Sequence, residues 1–127
     1  LKILVVDDML SMRQVLMHML RNLGYKHLDE ASNGIEALKK LRAKDYDLLI
    51  TDLHMPNLDG KQLLEKVRSD NKLASLPVLM VSCEDDRKKI TDIIASKVNG
   101  FIIKPFNIDM LEKNLKRVIK KSQLVRT

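Results

Sequence analysis

Apolar residues fall into two kinds of pattern that alternate five times along the chain. Short, nearly continuous runs appear as ILVV at 3–6, DLLIT at 47–51, PVLMVS at 77–82 and GFII at 100–103, with a weaker HLDEA around Leu28. Such runs predict strands covered on both faces. Between them apolar residues recur at helical spacing: Met12, Val15, Leu16, Met19, Leu20 and Leu23, then Ile35, Leu38 and Leu41, then Leu63, Leu64 and Val67. Ile90, Ile93 and Ile94 mark a fourth helix, and Leu111, Leu115, Val118 and Ile119 a fifth. Ser11 reads as the N-cap of the first helix and Gly24 as its stop, while Asn107 caps the last helix with Asp109 in its first turn. Regular βα alternation with right-handed crossovers predicts an α/β fold, a doubly wound five-stranded parallel sheet with helices on both faces. One domain over 1–121 is expected, with SQLVRT at 122–127 as a C-terminal tail or the start of a linker.

Composition narrows the class. The 127 residues are 45% hydrophobic and 31% charged with 4 Gly and 3 Pro, the profile of a folded domain with one core. The longest apolar runs, such as LPVLMV at 76–81, fall far short of the roughly 20 residues of a membrane span, so no membrane role is expected. A single cysteine, Cys83, cannot form an internal disulfide and fits a reducing cytoplasm. The first residue is Leu1 rather than methionine, which leaves room for residues upstream, and the same holds beyond Thr127.

The +6 charge is local. Residues 1–103 carry 16 Lys+Arg against 15 Asp+Glu, whereas residues 104–127 carry 7 against 2. The excess sits at Lys113, Lys116, Arg117, Lys120, Lys121 and Arg126, which form either a solvated helix face or a patch for an acidic partner. With aromatics at 3% there is little to stack on bases, and direct nucleic-acid binding is not expected.

In an open parallel sheet ligands bind beyond the carboxyl ends of the strands. The residues there are polar: Asp7 and Asp8 after the first strand, Asp52 after the third, Ser82 at the end of the fourth, and Lys104 with Pro105 after the fifth. Taken singly, each carboxylate reads as an ordinary helix-N-terminal acid and Ser82 as a cap. Together they form one cleft. Like charges about 4 Å apart at an effective dielectric near 20 repel by on the order of 4 kcal/mol per pair, so a compensating cation is needed. All-oxygen donors suit Mg²⁺, whereas one Cys and scattered His18, His27 and His54 do not supply a zinc set. Lys104 and the Ser82 hydroxyl suit phosphoryl oxygens. No phosphate-cradling glycine loop is present, so a phosphoryl group carried on a carboxylate is favoured over a nucleotide.

VVDD at 5–8, TDLHMPNLDG at 51–60, MVS at 80–82 and KPF at 104–106 resemble the receiver domain of two-component response regulators, and SMR at 11–13 extends the likeness. The resemblance spans roughly residues 2–121. It implies a flavodoxin-like strand order 2-1-3-4-5 and a signalling switch whose only enzymology is its own phosphorylation and autodephosphorylation. It implies Asp52 as phosphoacceptor, Mg²⁺ held by Asp8, Asp7, Asp52 and the backbone carbonyl of His54, and phosphoryl contacts from Lys104 and Ser82. Ser82 and Phe101 would form the switch, the Lys104–Pro105 bond would be cis, and the surface of the fourth helix, fifth strand and fifth helix would change. The implied partners are a histidine kinase or phosphotransfer protein, and a downstream target or a covalently attached effector domain.

Four positions depart from the family pattern: Cys83 in place of a small Ala, Phe101 in place of a frequent Tyr, and Lys97 and Val98 where small residues are common. A metal-dependent phosphatase or phosphotransferase using Asp52 is the alternative, weakened because His54 stands where such an enzyme carries a second Asp. A flavin-binding electron carrier of the same topology is disfavoured by the acidic loop after the first strand.

Overall fold

The computed structural model describes the backbone of residues 1–126 and the side chains of residues 1–120. The elements alternate as β1 (Lys2–Val6), α1 (Leu10–Asn22), β2 (His27–Ala31), α2 (Gly34–Ala43), β3 (Leu48–Thr51), α3 (Gly60–Ser69), β4 (Val78–Ser82), α4 (Arg87–Ala95), β5 (Gly100–Ile103) and α5 (Ile108–Arg126). All strands pair in parallel in the order β2-β1-β3-β4-β5, so this is the doubly wound, flavodoxin-like sheet with five helices. Helix α5 reaches into the segment set apart as a tail; the side chains of Lys121 and of Arg126 lie outside the described residues. Among the described residues no helix is long and apolar enough to cross a membrane.

The strand sequences explain the order. β1, β3 and β4 are central, and every residue from Ile3 to Val6, Leu48 to Thr51 and Val78 to Ser82 is buried. β2 is an edge, with His27 and Glu30 exposed, which accounts for its weak apolar signal. Alternation along each strand divides the core. Leu4, Val6, Leu49, Val78 and Met80 pack with α2, α3 and Ile93 of α4, whereas Ile3, Val5, Leu48, Ile50, Leu79 and Val81 pack with α1 and α5.

Helix ends show where periodicity misleads. Met9 precedes α1 without a side-chain cap, and Ser11 lies inside the helix, exposed, rather than capping it. The N–H groups at this end serve the site instead, as Met9 N–H donates to Asp7 Oδ1 at 2.9 Å. Gly24 does end the helix, at φ 97°, a conformation available to glycine without steric cost. Asn107 caps α5, its Oδ1 accepting from Met110 N–H at 2.9 Å, and Asp109 sits in the first turn. Val15, Ile35 and Ile94, placed by spacing on core-facing stripes, are 45%, 49% and 59% exposed. A stripe broader than the contact it faces leaves its margins in water.

Gly60 begins α3 directly beneath the third strand's end. A Cβ there would fall onto the Asp52 carbonyl oxygen and within 2.8 Å of Leu53 Cα, and Gly60 N–H donates to the Leu53 carbonyl at 2.8 Å. Backbone, not a pliable side chain, occupies that space. Gly60→Ala is therefore expected to destabilise the fold by on the order of 2 kcal/mol, read as a lowered midpoint in urea denaturation. An unchanged midpoint would contradict the close approach.

Candidate functional site

Asp7 and Asp8 follow β1 and Asp52 follows β3, and β1 lies beside β3 with Val6 opposite Thr51. Asp52 N–H continues the ladder to the Val6 carbonyl at 3.0 Å, so the pairing itself sets the carboxylates side by side. One oxygen from each of Asp7, Asp8 and Asp52 lies within 4.8 Å of the others. Asp7 and Asp52 are buried, whereas Asp8 is exposed.

Lys104, just after β5, reaches back over the sheet edge. Its Nζ is 3.3 Å from Asp7 Oδ2 and 3.7 Å from Asp52 Oδ2. The other oxygens of these two carboxylates accept backbone N–H groups, Asp7 Oδ1 from Met9 and Asp52 Oδ1 from Leu53 at 2.8 Å. Arg13 ties the first loop down by donating Nη1–H to the Asp7 carbonyl at 2.8 Å and Nε–H to Glu30 at 2.9 Å. Among the described residues Asp8 has no hydrogen-bond or ion-pair partner. One ammonium against three carboxylates leaves the cluster net negative, and its donors are all hard oxygens. That set fits a small divalent cation such as Mg²⁺, with Asp8 free to approach it and an acidic pocket to receive it.

Burial pushes the Asp52 carboxyl above its ordinary value; Lys104 opposes this, Asp7 and Asp8 add to the rise, and the Leu53 N–H opposes it.

Ser82, fully buried at the end of β4, has Cα register with Ile103, and its carbonyl accepts Lys104 N–H at 2.8 Å. The pairing thus sets Ser82 beside Lys104 in the backbone, and Ser82 Oγ accepts Glu84 N–H at 3.2 Å. The Lys104–Pro105 peptide bond is cis. Phe101, opposite Met80, is half-buried with Val98 against the layer containing Ile93. His54 sits in the loop after Asp52 with its imidazole exposed. Cys83 is exposed and lines an open groove of about 410 Å³ with Met12, Val15, Met19, Pro105 and Phe106. His18 and His27 are exposed and stand apart from the cluster. Lys113, Lys116, Arg117 and Lys120 are exposed on α5, and Lys116 pairs with Glu112 at 3.8 Å.

Two contributors were not singled out from the sequence. Asp59 and Gln62 form a capping box that starts α3 just after the Asp52 loop, and the Asp-x-x-Gln spacing was its signal. Glu84 is buried and accepts the N–H groups of Asp85 and Asp86, each at 3.1 Å, while facing His54 Nε2 at 3.3 Å and Lys89 Nζ at 3.4 Å. The Asp86 N–H is foremost in holding its carboxyl below the ordinary value. Only the EDD run at 84–86 hinted at it, and a run of acids reads as solvated surface.

A parallel sheet of this order thus carries an acidic pair, a third carboxylate, a hydroxyl and a lysine at one edge. The response regulator receiver domain family matches residues 3–116, and the chain belongs to that family. Chemotaxis protein CheY-3 of Vibrio cholerae is 39% identical over 95% of this chain and 93% of its own length. Chemotaxis protein CheY of Pseudomonas aeruginosa is likewise 39% identical, over 95% of this chain and 98% of its own. The solved structure of Vibrio cholerae chemotaxis protein CheY4 superposes with a TM-score of 0.85 at 36% identity, covering 92% of this chain and 97% of that one. This is a CheY-like receiver domain.

The raised Asp52 carboxyl has a definite sign in stability. Its folded value lies above its ordinary 3.8, so the folded state favours the neutral acid, and stability falls as pH rises through the folded value. In metal-free protein at pH 7, Asp52→Asn should raise the melting temperature by a few degrees. The gain should vanish below about pH 4, where Asp52 itself is neutral. Thermal melts across this range that show a lower melting temperature for the variant at pH 7 would contradict the balance of burial and repulsion over Lys104.

Proposed function

We propose that this receiver domain is switched by Mg²⁺-dependent phosphorylation of Asp52. The observation that carries this is the meeting of three carboxylates within 4.8 Å, two of them buried, with a single ammonium reaching both buried members. An Asp52 carboxylate oxygen attacks the phosphorus of a phosphohistidine on a histidine kinase or phosphotransfer protein. The P–O bond forms as the P–N bond breaks, and the departing imidazole nitrogen takes the electron pair and, from solvent, a proton. Water later attacks the acyl phosphate and returns the carboxylate and inorganic phosphate.

Asp8, Asp7, Asp52 and the His54 backbone carbonyl would hold the cation, which when bound neutralises charge on the group being transferred. Lys104 then exchanges part of its pairing with Asp52 for a phosphoryl oxygen, and the Ser82 hydroxyl donates to another. Moving Ser82 disturbs the Glu84 N–H that it accepts, and so the loop leading into α4. Half-buried Phe101 adjusts against Ile93 and Val98 on the same side of the sheet. The face of α4, β5 and α5 changes in consequence, and a downstream target or an attached effector domain reads it. The setting is the cytoplasm, where such kinases present their phosphohistidine.

Incubation with Mg²⁺ and a small acyl-phosphate donor should add one phosphoryl group to the chain and none to Asp52→Asn, as read by intact mass. Equal mass gain in the Asn variant would overturn the assignment.

Asp7 spends both oxygens on Met9 and Lys104, whereas Asp8 is free to ligate directly. Asp8→Ala should therefore weaken Mg²⁺ binding about tenfold or more and Asp7→Ala less, since a contact through water rearranges at lower cost. Matching affinities in calorimetric titrations of the two variants would refute this division of roles.

A further inference from the structure

Helix α4 is held differently from its neighbours. Only Ile93 among its side chains is buried, Ile94 is 59% exposed, and its last turn contains no basic residue to meet the negative end of its dipole. At the N-terminal end the side chains facing Glu84 are those of His54 and Lys89, both exposed.

The C-terminal end is different. Arg68 of α3 donates Nε–H and Nη2–H to the Lys97 carbonyl at 3.0 and 2.9 Å, and Nη2–H to Asn99 Oδ1 at 2.7 Å. Its Nη1–H groups reach the carbonyls of Leu76 at 2.7 Å and Ala74 at 3.3 Å. These five bonds match the five donors of a guanidinium. Its acceptors are all neutral oxygens, and the carbonyl it grips twice lies in the turn just past Ser96, the C-cap of α4; burial pulls its pKa below the ordinary value.

Lys97 follows Ser96, the C-cap of α4, at φ 68°, a left-handed conformation that residues other than glycine rarely adopt. The carbonyl that Arg68 grips twice belongs to that residue. Asn99 carries the tie into the sheet, its Oδ1 also accepting Val78 N–H at 2.8 Å and its own N–H donating to the Val78 carbonyl at 2.9 Å.

We propose that Arg68 is a positioning residue that anchors the turn following α4 to the start of β4, so that α4 moves at its Glu84 end. A displacement at Ser82 then becomes a swing of α4 about Arg68 rather than a shift of the whole helix. The swing rests on the phosphorylation reading above, whereas the anchor is a property of the resting chain.

Residue-resolved amide hydrogen exchange on the full chain tests both. In metal-free, unphosphorylated protein, Arg68→Gln should speed exchange at Val78, Ser96 and Lys97 about tenfold or more, beyond any change at the amides of α1 and α2. Arg68→Lys, which keeps the charge but not the fork, should give an intermediate effect and decides the matter if the Gln variant does not fold. Rates at those three amides that match the unsubstituted chain overturn the anchor. With Mg²⁺ and a small acyl-phosphate donor, exchange in the unsubstituted chain should change at 85–90 and stay fixed at Ser96 and Lys97, while in Arg68→Lys the change should spread to both ends. Equal changes at both ends of the unsubstituted α4 overturn the pivot. Absence of any phosphoryl mass gain counts against the phosphorylation reading alone, and the resting rates still decide the anchor.

Discussion

Repulsion among carboxylates at one edge of the sheet is the constraint around which the rest is arranged. Parallel pairing of β1 with β3 brings Asp7, Asp8 and Asp52 together as a by-product of register. The structure offsets their charge only in part. Lys104 spans two carboxylates, backbone N–H groups of Met9 and Leu53 serve one oxygen each, and Asp8 is left to solvent. A fully neutralised cluster would have no use for an added cation, and a cluster without Lys104 would carry a heavier penalty in burying Asp52. The residual imbalance leaves the site receptive to a cation.

That arrangement also divides the sheet edge mechanically. Asp52 sits on backbone braced by Gly60 and the capped start of α3, where no side chain intervenes. Ser82 instead leads through Glu84 into a helix with one buried residue. In the proposed switch the nucleophile would sit on the stiff side and the responding hydroxyl on the compliant one, as suits a device that must hold its reactive group still while its surface changes.

Much of this was legible in the sequence, and the exceptions have physical causes. The central strands announced themselves because both faces are buried, and the five chemistry-bearing positions because strand ends of a parallel sheet share one edge. Val15, Ile35 and Ile94 misled because periodicity reports which face is apolar, not how wide the contact beneath it is. Ser11 misled because a hydroxyl near a helix start is a cap only if the first turn begins after it, and here Met9 takes that place while its N–H serves Asp7. Glu84 and Arg68 were invisible since their partners are backbone groups distant in sequence or hidden in a charged run. Nothing in residue type marks a carbonyl as an acceptor.

The split of the core by strand alternation carries a consequence for how the domain tolerates change. Met80 and Val81 are neighbours in sequence yet belong to opposite layers, separated by the backbone of the sheet. Side chains in the two layers share few partners, so the free-energy effects of substitutions on the α1 and α5 side should sum with those on the α2 and α3 side instead of compounding. Repacking can thus accumulate beneath one surface while the other keeps its geometry, and a chain built this way can diversify the partners it meets on one face without retuning the bed on which Asp52 rests.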